Sequence, residues 1–290
     1  MPCPAPCPLS GRQDLSPSTP ALPPGLADRG GWLSDTRRFV LVHCVTFSDA
    51  AKASAPGGRM TQFQRLVCLA NSRKGGGRCV AGVLVDSGEW VRPVSARINH
   101  EISRQERQYK DGSDPRVLDI IDVPLLHHQP SCYQSENWLL DPRSHWQRAG
   151  RAEWSQLLTM EQHPDSLWIN GHSTPGRLND RIPIEETETL PDSLKLIRVS
   201  RITLRAPTPR AGSDDAKRPL DAVFRHAGRL YIMRVTDPEY EQPHVNNPRR
   251  VHELGESFVT VSLGEEFKGY AYKLAASITE RARIEAGSKT

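Results

Sequence analysis

Three short apolar runs joined by tight-turn sequences are the feature that most constrains the fold. They cover residues 66–70, 79–85 and 90–94. Each run is too short for a typical helix but has the length of a strand. A basic, glycine-rich segment (71–78, NSRKGGGR) separates the first two runs, and Asp-Ser-Gly at 86–88 precedes the third. Short runs with such connections predict a meander of antiparallel strands, and therefore an all-β barrel or sandwich.

The basic glycine segment combines three consecutive glycines with three cations. Residues without a Cβ can adopt positive φ, so their N–H groups can converge on an anion. We therefore predict a phosphate-binding segment made of Ser72, Arg73, Lys74, Gly75, Gly76, Gly77 and Arg78. The glycine spacing matches neither the Walker A loop nor the dinucleotide fingerprint. A solvated hairpin loop is the alternative interpretation.

The chain after this meander continues with short strands, charged loops and few helices. Alternating or short apolar runs predict further strands at residues 117–126, 193–205, 219–226, 229–236, 258–263 and 269–278. Pro124 predicts an edge strand or a bulge in the first of these, and Ala227-Gly228 predicts a hairpin between 219–226 and 229–236. Short helices are predicted at 102–109 and 153–160. The predicted fold class is accordingly all-β, with few short helices.

The first 59 residues differ in composition from the rest. They contain nine of the 24 prolines, and such a segment buries too little apolar surface to offset the entropy of ordering. We predict that residues 1–59 are a disordered or mis-assigned N-terminal extension, with Met60 as the start of the regular pattern.

Charge and cysteine usage narrow the function classes. The formal net charge is only +4, whereas a protein that coats long nucleic acid usually has more clustered cations. The apolar runs are far shorter than the ~20 residues of a membrane span, so no membrane partner is predicted. The six cysteines form no CxxC pair and follow no secretory signal, which predicts a reducing cytoplasm. Cys68 and Cys79 are predicted to be buried free thiols.

Aromatic, basic and amide side chains in the strands and loops are candidates for contacting a base. Flat side chains stack on bases, and amides supply hydrogen bonds. The predicted base- or ligand-contacting residues are Trp90, Arg92, Tyr133, Asn137, Trp138, Asn179, Tyr272 and Lys273. Tyr272 and Lys273 point to opposite faces of a regular strand, so they share one face only if a bulge intervenes. In another interpretation the protein is a nucleotide sensor, and Asn170 or Trp168 contacts the base.

Several phrases of the sequence resemble one protein family. They are LVCLANSRKGGGRCVAG, EWVRPVS, DGSDPR, YQSENWLLDP, LWINGHS, LNDR, VTDP and TVSLGEEFKGYAYKLAA, between about residues 65 and 278. They are similar to uncharacterised, mainly bacterial proteins with a dual OB-containing domain. The resemblance implies two OB-like, five-stranded Greek-key barrels in tandem, which we place at 60–185 and 186–290. Such barrels bind oligonucleotides or small ligands on a sheet face and its flanking loops.

The predicted function is therefore non-enzymatic binding of a nucleic acid or nucleotide. No cofactor, metal ligand or catalytic residue is predicted, because no HExxH, GxSxG or paired-cysteine motif occurs. One alternative is a nucleotide-processing enzyme that uses carboxylates such as Glu136, Asp180 and Asp237. A second is an interaction scaffold without a ligand. The sequence leaves a protein partner and the oligomeric state open.

The arrangement of four polar residues separates these alternatives. A closed pocket that brings together Ser72, Lys74, Arg92 and Asn137 would favour a nucleotide sensor or an enzyme. An open groove lined by aromatics and cations would favour strand binding. A glycine segment isolated in solvent would favour the scaffold.

Overall fold

The computed structural model describes residues 60–205, 219–246 and 251–287, with side chains omitted for 243–246. These residues fall within one compact unit of the chain. The predictions for residues 1–59 lie outside the described residues.

The first sheet closes into a five-stranded barrel with one additional strand. Its strands are β1 (Gln62–Lys74), β2 (Gly77–Leu84), β3 (Trp90–Val94), β4 (Asp119–His128), β5 (Asn137–Leu140) and β6 (Gln147–Arg151). They are ordered β1-β2-β3-β5-β4-β6, and β4 also pairs with β1, which closes the ring. β3 and β5 run parallel, and the short helix α1 (Arg104–Arg107) lies in the connection from β3 to β4.

Strand β1 is long enough to belong to both sides of this barrel. Residues 62–67 pair with β4, whereas residues 66–74 pair with β2. A bulge between Cys68 and Ala70 marks the bend. Bulges increase local twist, and here the bulge lets one strand turn from one side of the barrel to the other.

The second sheet repeats this connectivity. Its strands are β7 (Arg181–Pro183), β8 (Leu194–Val199), β9 (Ile202–Arg205), β10 (Asp221–His226), β11 (Arg229–Val235), β12 (His252–Leu254), β13 (Ser257–Phe267) and β14 (Tyr270–Glu280). The order is β12-β9-β10-β11-β14-β13-β8, with β7 on β14. β11 and β14 are parallel, and only Ser200 and Arg201 separate β8 from β9. Strands β8 and β9 together therefore correspond to β1. β9 pairs with β10 as β1 pairs with β2, and β8 pairs with β13 as β1 pairs with β4.

Helices are short and lie between or after the strands. They are α2 (Trp154–Met160), α3 (Pro238–Asn246), α4 (Arg281–Gly287) and a 3-10 turn at Ile184–Glu186. α3 lies between β11 and β13, the position that α1 has in the first barrel. The all-β fold class is confirmed. The domain bounds 60–185 and 186–290 stay a prediction, and β7 belongs to the second sheet by pairing with β14.

Apolar side chains form one core in each barrel, and among the clusters that contain residues of both barrels two adjoin Trp90. One of these two joins Leu69, Val83 and Trp154 of the first half to Leu196 and Phe258 of the second. The other joins Ala70 and Ala81 to Leu194 and Ala276. Trp90 packs against both clusters. The outer face of β1, β2 and β3 is therefore largely covered by the second barrel.

The predicted loop at residues 71–78 is mostly strand. β1 continues to Lys74 and β2 begins at Gly77, so Gly75 and Gly76 alone form the turn. Gly75 has a φ of +52°, which a glycine adopts without strain. A Cβ on Gly77 would lie 2.5 Å from the carbonyl oxygen of Ile102, so this hairpin needs glycine there for close packing.

Other elements also differ from the prediction. The single strand expected at 193–205 is divided into β8 and β9, and α3 and α4 were not predicted. The strand around Pro124 contains bulges, as its proline predicted: register shifts occur between Ile120 and Ile121 and between Leu125 and His127. The predicted hairpin at Ala227-Gly228 is confirmed; both residues have positive φ.

Candidate functional site

A cavity of about 480 Å³ lies between the two barrels. The first barrel contributes Ser72 and Lys74 of β1, Cys79 of β2 and Arg92 of β3. The second contributes parts of β11, β13 and β14 together with residues of the loop before β7. The cavity therefore exists only because the two barrels are packed together.

Strand alternation explains which side chains reach the cavity. The bulge in β1 leaves Cys68 in the first barrel core and places both Leu69 and Ala70 in the inter-barrel clusters. Ser72 and Lys74 follow Ala70 at intervals of two, so they continue on the outward face. On β14, Tyr272, Leu274 and Ala276 share one face in the same way, and all three line the cavity. The end of the cavity beside Ala276 is thus apolar and tightly packed. The polar residues Ser72 and Lys74 lie further along β1, where the two barrels separate.

Arg92 is a buried cation in the cavity wall. It is 3% exposed, and its Nη1 and Nη2 donate to Asn137 Oδ1 at 3.3 Å and to Ser262 Oγ at 3.2 Å. Within the described residues its Nε has no hydrogen-bond partner, and no carboxylate lies within ion-pair distance of its guanidinium. A buried charge without a counter-charge is costly, so neutral dipoles alone hold this guanidinium beside the cavity.

Three further basic residues surround the same space. Lys74 Nζ lies 2.6 Å from Glu265 Oε1. Arg177 Nε lies 2.9 Å from Asp221 Oδ1, and burial raises the pKa of that aspartate despite the arginine. Arg234 of β11 is exposed and pairs in register with Leu274. Cations from both barrels therefore converge on one cavity.

Two basic residues of the cavity wall direct their side chains elsewhere. Arg73 Nε lies 3.2 Å from a carboxylate oxygen of Glu241. Lys273 Nζ donates to the carbonyl oxygen of Ile169 at 2.6 Å and to Asn170 Oδ1 at 2.9 Å, near the ring of Tyr231 in the second barrel. Burial lowers the pKa of Lys273 to about 7, and the nearby charge of Asp180 opposes this shift. Tyr272 and Lys273 thus point to opposite faces of β14.

The structure does not bring the three candidate carboxylates together. Asp180 lines the cavity, but it accepts from the backbone N–H of Thr174 at 2.7 Å and from its hydroxyl at 2.6 Å. Glu136 accepts from the N–H and hydroxyl of Ser193. Asp237 lies at the start of α3. Among the described residues, no group of three or more His, Cys, Asp or Glu side chains is placed to hold a metal ion.

The predicted phosphate-binding residues divide into two groups. Ser72, Arg73 and Lys74 line the cavity. Gly75, Gly76 and Gly77 do not line it, and Arg78 borders a separate cavity of about 230 Å³ near Asn71 and Asp114. Their role as a phosphate-binding segment stays a prediction.

The predicted base-contacting residues are also divided. Arg92, Tyr272 and Lys273 line the cavity, Asn137 supports Arg92, and the Tyr133 hydroxyl donates to the carbonyl oxygen of Gly264 in the cavity wall. The other three lie elsewhere. Trp90 donates to Gln162 Oε1 between the barrels, Trp138 packs on the first barrel core beside His128, and Asn179 donates to the carbonyl oxygen of Leu230.

The cavity residues that were absent from the sequence prediction include Arg177, Arg234, Ser262 and Phe267. Arg234 follows Ile232 on the outward face of β11 at an interval of two, which is the only sequence signal for its orientation. Phe267 is 60% exposed, and its ring centroid lies 6.2 Å from that of Tyr272. Two aromatic rings therefore lie at the outer end of the cavity.

The buried carboxylate of Asp237 should make the stability of the protein depend on pH. This carboxylate accepts from the N–H of Glu239 at 3.0 Å and of Ile278 at 2.9 Å, which joins α3 to β14. Burial raises its pKa to about 6, although these two hydrogen bonds lower it. The folded state therefore binds the proton more tightly than the unfolded state. This contribution to stability is complete below about pH 4 and is lost as the pH rises to about 6.

In an Asp237→Asn variant this pH dependence should disappear. Between pH 4 and pH 7 the free energy of unfolding of the parent should fall relative to the variant by up to about 3 kcal/mol. Urea unfolding at several pH values measures this difference. The variant has a constant penalty, because Glu239 and Ile278 donate to different carboxylate oxygens and asparagine has an NH2 group in place of one of them. The test is therefore the slope of the free energy of unfolding against pH. Parallel curves for the parent and the variant would contradict the prediction.

Comparison with known proteins supports the fold. No curated protein and no solved structure gives a significant match to the chain. In the described part of the chain, no helix is both long enough and apolar enough to cross a membrane. A family model described as "Dual OB-containing domain" matches residues 64–278, which include both barrels. The chain therefore belongs to the dual OB-containing domain family.

Proposed function

We propose that the cavity between the barrels binds a nucleotide, with the phosphate at the basic wall and the base toward the aromatic rings. The observation that carries this proposal is the convergence of Lys74, Arg92, Arg177 and Arg234, from both barrels, on one cavity. Of the two carboxylates in the wall, Asp180 is already hydrogen-bonded to Thr174, and Glu265 is paired with Lys74.

The environment of Arg92 supports an anionic ligand. Among the described residues, this desolvated guanidinium is held by an amide oxygen and a hydroxyl, with an unused donor and without a carboxylate in ion-pair distance. A phosphate would supply both a charge and acceptor oxygens, and charge-assisted bonds to arginine are among the stronger hydrogen bonds in proteins. The binding of an anion would thus offset the cost of burying Arg92.

The rest of the wall supports a nucleotide rather than inorganic phosphate alone. Leu263, Leu274 and Ala276 make one side apolar, and Phe267 and Tyr272 add flat rings. A volume of about 480 Å³ is in the range of small-molecule sites, roughly 300–1,000 Å³. OB barrels often bind nucleic acids, and this fold-level analogy points in the same direction.

The packing of the barrels favours a pocket over a long groove. In OB barrels a sheet face and its flanking loops commonly bind the ligand. In the first barrel, Leu69, Ala70, Ala81 and Val83 of that face are buried against the second barrel. A long strand therefore lacks access to most of this face, and only the end near Ser72 and Arg92 remains available.

Binding measurements on matched ligands and variants test this proposal. Isothermal titration calorimetry should detect nucleoside monophosphates and give at least tenfold weaker binding for the corresponding nucleosides. Replacement of either Lys74 or Arg234 by glutamine should weaken monophosphate binding by about tenfold and reduce its salt dependence. Lys110→Gln is the control, because Lys110 is exposed and outside the cavity wall.

Two outcomes would refute the proposal. One is equal affinity for nucleosides and nucleotides, which would remove the phosphate from recognition. The other is unchanged affinity in both cavity variants, which would place the binding site elsewhere.

A further inference from the structure

We infer that the occupant of the cavity is the phosphate-bearing end of a single-stranded nucleic acid. This inference rests on the proposed function and adds a ligand class to it. It follows from the shape of the cavity, which is closed at one end and continues into a row of aromatic side chains at the other.

The inner end of the cavity is blocked by the contact between the barrels. Ala276, which lines it, is 2% exposed and packs with Ala70, Ala81 and Leu194. Arg92 and Ser72, at 3% and 6% exposure, lie at this buried side. A strand cannot continue through this packed interface, so a nucleotide whose phosphate reaches Arg92 must be a terminal one.

The outer end of the cavity leads along β14 to the half-buried rings of Tyr270 and Tyr272 and to the exposed ring of Phe267. Ala276, Leu274, Tyr272 and Tyr270 alternate along one face of the strand, from the buried end toward the hairpin tip. The ring centroids of Tyr270 and Tyr272 are 6.4 Å apart, and that of Phe267, which pairs with Tyr270 across the hairpin, lies 6.2 Å from that of Tyr272. A chain that leaves the cavity in this direction would pass over successive aromatic faces, on which bases of any sequence can stack.

Two basic side chains lie next to these aromatic rings. The guanidinium of Arg181 lies 3.9 Å from the centroid of Tyr270, and Lys268 Nζ lies 5.3 Å from that of Phe267. Within the described residues, Arg181 Nε has no hydrogen-bond partner. Flat arginine planes stack on bases and contact phosphates, so the row offers both interactions that a second and third nucleotide would use.

A competition experiment tests the inference. Short oligonucleotides of one sequence compete with a nucleoside monophosphate for binding to the protein. The set contains linear strands phosphorylated at the 5′ or the 3′ end, the unphosphorylated strand and a circular strand, each as DNA and RNA. One phosphorylated linear form should bind roughly tenfold or more tightly than the monophosphate, since each stacked base contributes substantially. The circular and unphosphorylated strands should lose this advantage.

Variants of the aromatic row separate this inference from the proposed function. Tyr270→Leu keeps apolar bulk but removes a ring that lies outside the cavity wall, and should reduce strand affinity roughly tenfold while changing monophosphate affinity less than about twofold. Tyr270→Phe should retain strand binding. Phe63→Leu, an exposed aromatic on β1, is the control.

The outcomes distinguish the two claims. If the monophosphate binds but the phosphorylated strand binds no better, or the circle binds equally well, the strand-end inference is wrong and the nucleotide site stands. If neither monophosphate nor strand binds, the proposed function fails, and the inference fails with it.

Discussion

Replacement of Arg92 by methionine should lower the affinity for a nucleoside monophosphate about 100-fold and leave the fold intact. Two hydrogen bonds from a guanidinium to a phosphate, at about 1.5–3 kcal/mol each, are sufficient for such a loss. The side chain is 3% exposed and has no carboxylate partner in the described part of the chain. Arg92→Met removes an unpaired buried charge but also leaves the Asn137 oxygen and the Ser262 hydroxyl without this donor, so it should cost about 1–2 kcal/mol in the free energy of unfolding.

Arg107 provides a matched control for this variant. It is also buried in the first half of the chain, at 5% exposure, but its Nη2 lies 2.9 Å from Asp114 and its Nη1 donates to the carbonyl oxygen of Ile102. Arg107→Met should destabilise the protein by about 1–3 kcal/mol, because it leaves these acceptors unpaired, and should not change nucleotide affinity. The reverse pattern, with unchanged binding in the Arg92 variant and lost binding in the Arg107 variant, would exclude Arg92 from the site.

Truncation of Phe258 should cause the largest loss of stability. Phe258 is 1% exposed on β13, and its ring centroid lies 4.7 Å from that of Trp154 in the cluster that joins the barrels. Phe258→Ala should lower the free energy of unfolding by about 3–5 kcal/mol, from lost burial and the cavity left behind. Urea unfolding monitored by circular dichroism measures the loss.

The same variant tests whether the two barrels unfold together. Because the inter-barrel clusters contain residues of both sheets, we expect one cooperative transition in the parent and earlier amide exchange in both barrels of the variant. Phe267→Ala, at an exposed ring, should change stability by about 0.5 kcal/mol or less. Two separate transitions in the parent would show that the interface contributes little.

Local sequence patterns were sufficient to predict the longer strands, whereas the short strands β5, β6, β7 and β12 were not predicted. The apolar runs of β2, β3 and β14, the turn at Asp86-Ser87-Gly88 and the hairpin at Ala227-Gly228 depend mainly on alternation and glycine, which act over a few residues. The extension of β1 to Lys74 was not predicted, because cross-strand pairing with β2 orders polar residues that carry no apolar signal.

The composition of the site depends on packing between barrels, which a single sequence does not encode locally. Trp90 and Trp138 have the composition of base-stacking residues, yet Trp90 packs between the barrels and Trp138 on the core of the first. Phe267 and Arg234 carry no motif, and they become cavity residues only because β11, β13 and β14 meet the first barrel. Arg92 and Tyr272 could be named from the sequence, since each lies beside other aromatic or basic residues in a predicted strand.

A crystal structure of the protein with a bound nucleoside monophosphate is the decisive test of the binding site. We expect phosphate oxygens within hydrogen-bond distance of Arg92 in the cavity between the barrels, with the base against Tyr272 or Phe267. A nucleotide bound outside this cavity, for example on the outer face of β9, β10 and β11 near Arg205 and Arg225, would contradict it.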